Sequence, residues 1–190
     1  MSTVTPCFTP GTLIATDKGA RAIETLSRGD MVVTRDNGLR KIGWIGRRTF
    51  SYAEVNDAPE LRPVLVRRDV FGEGNPARDM IVSPAHRFLI SVDGEPEALV
   101  AVRELVDGVR VIEAPVLGVS YIHILCHAHE VILANGAWTE SFHPDDQVVQ
   151  DMADDQRAEL LALYPEIATI GAARRFPAAR PVISRSRFES

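Results

Sequence analysis

Seven side chains in this sequence have the chemistry of a reactive site: Cys7 and Cys126, and the five histidines His86, His123, His127, His129 and His143. A thiol is a nucleophile when a neighbour takes its proton, and an imidazole titrating near neutrality is the side chain best suited to take that proton or give it back. Cys7 lies close to the chain start in Pro6-Cys7-Phe8-Thr9-Pro10-Gly11-Thr12. A lone cysteine is more often a small buried hydrophobe than a nucleophile, and Cys126, sharing parity with Ile122 and Ile124, reads as core. On one unbroken strand His123, His127 and His129 would project from a single face, a geometry that permits a metal. No second ligand block follows and His143 is the only histidine downstream, so neither a metal nor a cofactor is expected. A break in the strand near His127 would remove the shared face altogether.

The elements that must position these groups are short and mostly extended. From residue 8 to about 133, β-branched runs alternate with turn residues, the rhythm of an all-β barrel or sandwich. Candidate strands are Thr12–Thr16, Met31–Thr34, Lys41–Phe50, Val64–Arg68, Met80–Ser83, Arg87–Val92, Glu97–Val102, Val109–Pro115, Ser120–Cys126 and Glu130–Ala134. Asp17-Lys18-Gly19, Asp36-Asn37-Gly38, Asp93-Gly94 and Asp107-Gly108 supply turns, because glycine and asparagine accept a positive φ. A helical turn is expected at Ile23–Leu26. One longer helix is expected from a cap at Asp145-Asp146 to about Tyr164, ended by Pro165. Beyond Gly171 two prolines interrupt any period, which predicts a peripheral tail with little function.

Three blocks in order resemble the Hint (Hedgehog/intein) superfamily, of the bacterial intein-like type. The first is residues 7–33, a cysteine and strand followed by Ile23-Glu24-Thr25-Leu26-Ser27-Arg28-Gly29-Asp30 and another strand. The second is Met80-Ile81-Val82-Ser83-Pro84-Ala85-His86-Arg87-Phe88-Leu89, similar to a Thr-x-x-His block with Ser83 in the threonine place. The third is His129-Glu130-Val131-Ile132-Leu133-Ala134-Asn135-Gly136, similar to a late block in which a histidine precedes a strand and an Asn-Gly turn. The resemblance implies a mainly β fold, a compact horseshoe or barrel of short strands with a C-terminal helix. It divides the chain into an upstream segment 1–6, a Hint-like domain 7–144 and a helix with irregular tail 145–190.

By the same resemblance, Cys7 attacks the carbonyl of Pro6 through a five-membered ring in an N–S acyl shift. The chain itself supplies the proximity, and oriented intramolecular reactions gain on the order of 7 to 11 kcal/mol. His86 then protonates the departing Cys7 nitrogen, and Ser83 donates to the Pro6 oxygen or, on a plainer reading, only starts a turn with Pro84. His129 falls on the late-block histidine, and His123 lies near a position where that block often has an aspartate. Asp79 stands before the second block and reads as an exposed carboxylate at a strand start. The chain departs from inteins where these end in His-Asn. Counting on from Asn135-Gly136 reaches Glu140-Ser141, with no asparagine to cyclise, so the implied output is a thioester resolved by water or an outside amine, alcohol or thiol, without splicing.

Composition narrows the partners. The chain has 190 residues, 45% apolar and 25% charged, with a formal charge of −5 and no basic run. Neither nucleic acid nor an anionic membrane is expected as a partner; the partners implied are the protein's own upstream polypeptide and an external nucleophile. No signal peptide or spanning segment is visible, which predicts a soluble, cytoplasmic chain unless its parent is exported. Two cysteines exclude a disulfide scaffold, and no Gly-x-Ser-x-Gly, Walker or dinucleotide motif is present. With so few residues before Cys7, the expectation is an excised module or a cut that removes little more than the chain start. Two other functions fit the same residues: a cleavage-inactive Hint-fold binding or assembly module, and a cysteine hydrolase acting in trans through Cys7 with His86 or His129.

Overall fold

A computed structural model describes residues 5–91 and 96–184. In chain order the strands are β1 (Leu13–Thr16), β2 (Gly19–Ala22), β3 (Met31–Thr34), β4 (Gly38–Ser51), β5 (Val64–Val66), β6 (Met80–Val82), β7 (Arg87–Ile90), β8 (Ala98–Ala101), β9 (Val111–Glu113), β10 (Gly118–Cys126), β11 (Val131–Ala134) and β12 (Ala137–Glu140). The helices are α1 (Tyr52–Asp57), α2 (Asp146–Asp151), α3 (Asp154–Leu163), α4 (Ile167–Ile170) and α5 (Ala172–Arg175), and a 3₁₀ turn spans Ile23–Thr25. The fold is mainly β, as the turn-punctuated pattern predicts.

Among the described residues the large sheet runs β10-β4-β3-β1-β11-β12-β7-β8, with β2 hairpinned onto β1, and β6-β5-β9 form a smaller sheet. The 14-residue β4 joins two regions, its first residues pairing with β3 and the rest with β10 from Ile42↔Cys126 to Ser51↔Gly118. Phe8 links the two sheets, bridging Val82 on one side and Ile122 on the other, with Phe8 N to Ile122 O at 3.0 Å and Ile122 N to Phe8 O at 2.9 Å. The residue beside Cys7 is therefore clamped between two strands.

β10 divides the core by parity. Ile122, Ile124 and Cys126 enter the central cluster with Phe8, Ile14, Val32 and Val82, while Tyr121 and Leu125 face two other clusters, beside Cys7 and beside Trp44. Cys126 is core. The strand ends there, and residues 127–129 follow outside it, so the single face expected to carry His123, His127 and His129 does not form.

Two strands absent from the sequence reading, β2 and β12, arise because Gly19 and Gly136, at φ of 88° and 83°, each turn a short run back on its neighbour. Val92 and the Asp93-Gly94 turn lie outside the described residues. The helix expected as one piece is two: the chain is extended at Met152, with ψ of 151°. Met152 is buried in the cluster with Trp44 and Phe142, and Arg157 Nη1 donates to the freed carbonyl of Gln150 at 3.1 Å. The described part of the tail, residues 172–184, is not peripheral. Phe176 is wholly buried against Tyr164, and Val182 pairs in parallel with Leu99 at the edge of β8.

Candidate active site

Cys7 is held on all sides. Its amide donates to Ser83 Oγ at 2.8 Å, and Ser83 N donates to the Cys7 carbonyl at 3.0 Å, an exchange made available because β6 ends at Val82 beside the Phe8 bridge. The thiol is 2% exposed. It donates to Thr5 O at 2.9 Å and lies 3.4 Å from Nδ1 of His123. That same Nδ1 is 3.1 Å from the Pro6 oxygen. The ring thus reaches both the Cys7 sulfur and the Pro6 oxygen: Nδ1 carries the proton and donates to that carbonyl, which leaves Nε2, 3.7 Å from the sulfur, as the unprotonated nitrogen.

The rest of the polar array is arranged differently from the family expectation. Ser83 Oγ does not contact the Pro6 oxygen; besides accepting the Cys7 amide it donates to Thr5 O at 2.8 Å. The plainer reading of Ser83 holds alongside, since His86 N donates to Ser83 O at 3.0 Å and closes a turn over Pro84. The His86 ring packs 4.3 Å from the ring of Phe8, and neither of its nitrogens has a hydrogen-bond partner among the described residues. His129 is farther along the sheet. Its Nδ1 accepts the Ala179 amide at 3.1 Å, which places the ring proton on Nε2, 3.4 Å from Glu140 Oε2. His143 stacks on it at 4.2 Å and hydrogen-bonds the Phe176 carbonyl at 2.7 Å. His127 stands apart beside Tyr164, and Asp79 is partly exposed, paired with Arg67.

Two buried residues to which the sequence reading gave no role belong to this array. Glu140 accepts Arg87 N at 3.0 Å and Arg87 Nη1 at 2.9 Å while facing His129. Burial raises its carboxyl, but His129 and Arg87 outweigh that and hold it below the usual carboxylate range. Trp44 stacks on His123 with ring centroids 6.0 Å apart and backs the imidazole from the far side. Glu140 was signalled by the count that reached Glu140-Ser141; nothing in the sequence marked Trp44.

Burial dominates the electrostatics. It pushes the Cys7 thiol up to about 12, with the Thr5 and Ser83 hydrogen bonds only partly opposing it. It pushes His123 and His86 each down to about 4. At neutral pH the site therefore holds a protonated thiol and two neutral imidazoles, the protonation states from which a base-assisted attack starts.

The Hint domain model matches residues 6–146. This chain belongs to the Hint domain family. Among solved structures the fold is similar to a DnaB intein from Synechocystis sp. PCC 6803, with a TM-score of 0.51 at 12% identity over 72% of this chain and 99% of that one. It is also similar to a bacterial intein-like domain from Clostridium thermocellum, with a TM-score of 0.44 at 12% identity over 74% of this chain and 99% of that one. No curated protein matches the sequence. For this Hint domain no helix among the described residues is long and apolar enough to cross a membrane.

Proposed function

We propose that this Hint domain cleaves its own chain by an N–S acyl shift at Pro6–Cys7, leaving a thioester that water or an external nucleophile resolves. Family membership supports a self-processing domain in general. The observation that carries the finer reading is the position of His123 Nδ1, 3.4 Å from the sulfur and 3.1 Å from the Pro6 oxygen.

A thiol raised by burial is almost wholly protonated at pH 7, so attack must be coupled to proton removal. His123, neutral because burial depresses it, keeps Nδ1–H on the Pro6 oxygen and is in reach to take that proton at Nε2, 3.7 Å from the sulfur. The imidazolium so formed faces the Pro6 oxygen as charge builds on it, and in a water-poor site such a contact is strengthened. Ser83 is the polar group already touching the scissile nitrogen, and its hydroxyl is in place to pass a proton to the departing amine. The proton that His123 took from the thiol balances the one the amine gains, so the ring ends neutral as it began. Atoms balance: the Pro6 C–N bond breaks, a C–S bond forms, and the thiol proton is matched by one gained at the Cys7 amine.

Burial of the thiol favours action in cis. A separate substrate would have to reach a 2% exposed sulfur, whereas Pro6 is covalently there already.

Intact mass of the full chain tests the proposal. The expected result is loss of Met1–Pro6, faster with dithiothreitol or hydroxylamine and absent in Cys7→Ala. Release of the same peptide from Cys7→Ala would point to an outside protease, and no release under dithiothreitol would overturn cleavage.

A further inference from the structure

The His123 ring is held from behind by aromatic side chains. Trp44 stacks on it with centroids 6.0 Å apart and planes 17° apart, Phe142 leans on it at 4.8 Å, and these two rings lie 5.7 Å from each other. Both are buried. The indole nitrogen of Trp44 has no hydrogen-bond partner among the described residues. No polar contact of its own therefore fixes the indole, and its place is owed to what packs against it.

That packing comes from the far end of the chain. Trp44 and Phe142 share one buried cluster with Val149, Met152, Leu160, Tyr164, Ile167 and Phe176, which run from α2 to just past α5. The family match ends at residue 146, so these six lie beyond the part of the chain that defines the family. The segment is seated on the sheet at several points. Gln156 Nε2 donates to Arg47 O at 2.8 Å, Arg175 Nη1 to His127 O at 3.0 Å, and His143 hydrogen-bonds the Phe176 carbonyl at 2.7 Å. The Tyr164 hydroxyl meets β4 at Gly43, where any Cβ would collide with it, so glycine beside Trp44 lets the segment close. Met152 also reaches the front of the ring, lining with Cys7 and His123 a cavity of about 300 Å³. Leu160 is wholly buried in α3 and does not line that cavity.

We propose that residues 147–176 are a positioning element of the cleavage site, with Leu160 a positioning residue in it: packed behind Trp44 and Phe142, they hold the His123 ring on Cys7 and Pro6 and keep water from it, so that cleavage is licensed by docking of this segment. This rests on the cleavage reading above. A loosened wall lets the ring drift from the sulfur. It also lets water reach the ring, which relieves the desolvation that disfavours its charged form. The titratable groups around the ring are the Cys7 thiol and His86, with Tyr121, Arg48, Glu54, Asp57 and Asp151 in the cavity wall. None of them is on α3, so a change at Leu160 reaches the ring through packing. A chain made only part-way to Phe176 lacks the wall, which defers cleavage until the segment is in place.

Release from the full chain under dithiothreitol, followed by intact mass from pH 8 to 4.5, provides the test. Leu160→Ala is expected to slow release by roughly tenfold to a hundredfold, as small misplacements of a reacting group do, and to move the acid limb up by at least one pH unit. Leu160→Met, which refills the space, is expected to restore both. A wild-type rate and limb in Leu160→Ala overturn the proposal, and where that variant does not fold, the same result in Leu160→Val overturns it. A slower rate with an unmoved limb shows lost stability alone and overturns it as well. A second measurement is independent of cleavage. In Cys7→Ala, titration of the His123 ring followed by nuclear magnetic resonance is expected to begin only near pH 5. Adding Leu160→Ala, or Leu160→Val where the first does not fold, is expected to raise that onset by at least half a pH unit, and an unmoved onset overturns the proposal. Absence of release from the wild type overturns the cleavage reading, and the ring titration then decides by itself whether the segment governs His123.

Discussion

At the residue scale the proposed cleavage turns on a single imidazole in contact with the Cys7 sulfur and the Pro6 oxygen. His123 lies near the position where the family's late block often has an aspartate, and a carboxylate at the place of this ring would repel a developing thiolate and oxyanion, whereas an imidazole accepts the first proton and then attracts the negative oxygen. His123→Ala is expected to slow dithiothreitol-induced cleavage by roughly 10² to 10⁴, the usual range for removing a general base. The pH profile carries a sharper signature. The base works when neutral, and burial depresses His123 to about 4; cleavage should therefore persist down to about pH 5 and fall only below it, rather than halving near 6.5. An acidic limb centred near 6.5 would show that another group is the base. Gly46 lies opposite His123 in the register of β4 and β10, and a Cβ there would stand 2.2 Å from the Trp44 ring that backs the imidazole. Gly46→Ala must push that indole, so it is expected to slow cleavage and to cost about 1–3 kcal/mol of stability from overpacking. Cleavage at the wild-type rate would show that Trp44 does not position the imidazole.

Elements place these residues by pairings of very different sequence range. The short strands and the 3₁₀ turn at Ile23–Thr25 were legible because period-two runs and Asx-Gly turns are local signals, and the approach of Ser83 to Cys7 was legible through the ordered blocks. What was not legible depends on contacts across the fold. His123 gains its role only because β10 lies beside the Phe8 segment, and Glu140 only because β12 ends against the start of β7. The helix break at Met152 was hidden because residues 146–163 satisfy helical spacing, while the burial of that side chain under Trp44 is a tertiary preference. The tail was misread for a related reason: a strap has no period and is anchored by single side chains. Phe176 is one such anchor, wholly buried with Tyr164 against one edge and the Arg175 guanidinium 4.5 Å from its ring centre. Phe176→Ala is expected to destabilise by about 3–5 kcal/mol, the cost of deleting a core aromatic. A shift in urea midpoint worth less than 1 kcal/mol would return the tail to the periphery.

For the whole molecule, the decisive feature is that two imidazoles are stored neutral inside the protein. His86 and His123 titrate near 6.5 in an unfolded chain and near 4 in the folded one, because burial penalises their charged forms. Between those values the unfolded state binds more protons than the folded state, so stability rises with pH across the window and is lost as pH falls from about 6.5 toward 4. Each ring contributes up to about 1.4 kcal/mol per pH unit, roughly 3 kcal/mol over the interval. Two rings amount to a large part of the 5–15 kcal/mol typical of a folded domain. Glu140 adds in the same direction, since a carboxyl held below its ordinary range loses its stabilising contribution on acidification. The expected outcome is a domain whose urea midpoint is nearly flat above pH 7 and drops steeply between pH 6 and 4.5. His86→Phe isolates one ring: the imidazole has no hydrogen-bond partner and packs between Phe8 and Phe88, so an aromatic replacement leaves no new polar group unpaired while removing one titration. Its midpoint should fall less steeply with pH than that of the wild type, His123 and the likewise depressed His143 still contributing, and a slope equal to wild type would mean that the acid sensitivity arises elsewhere.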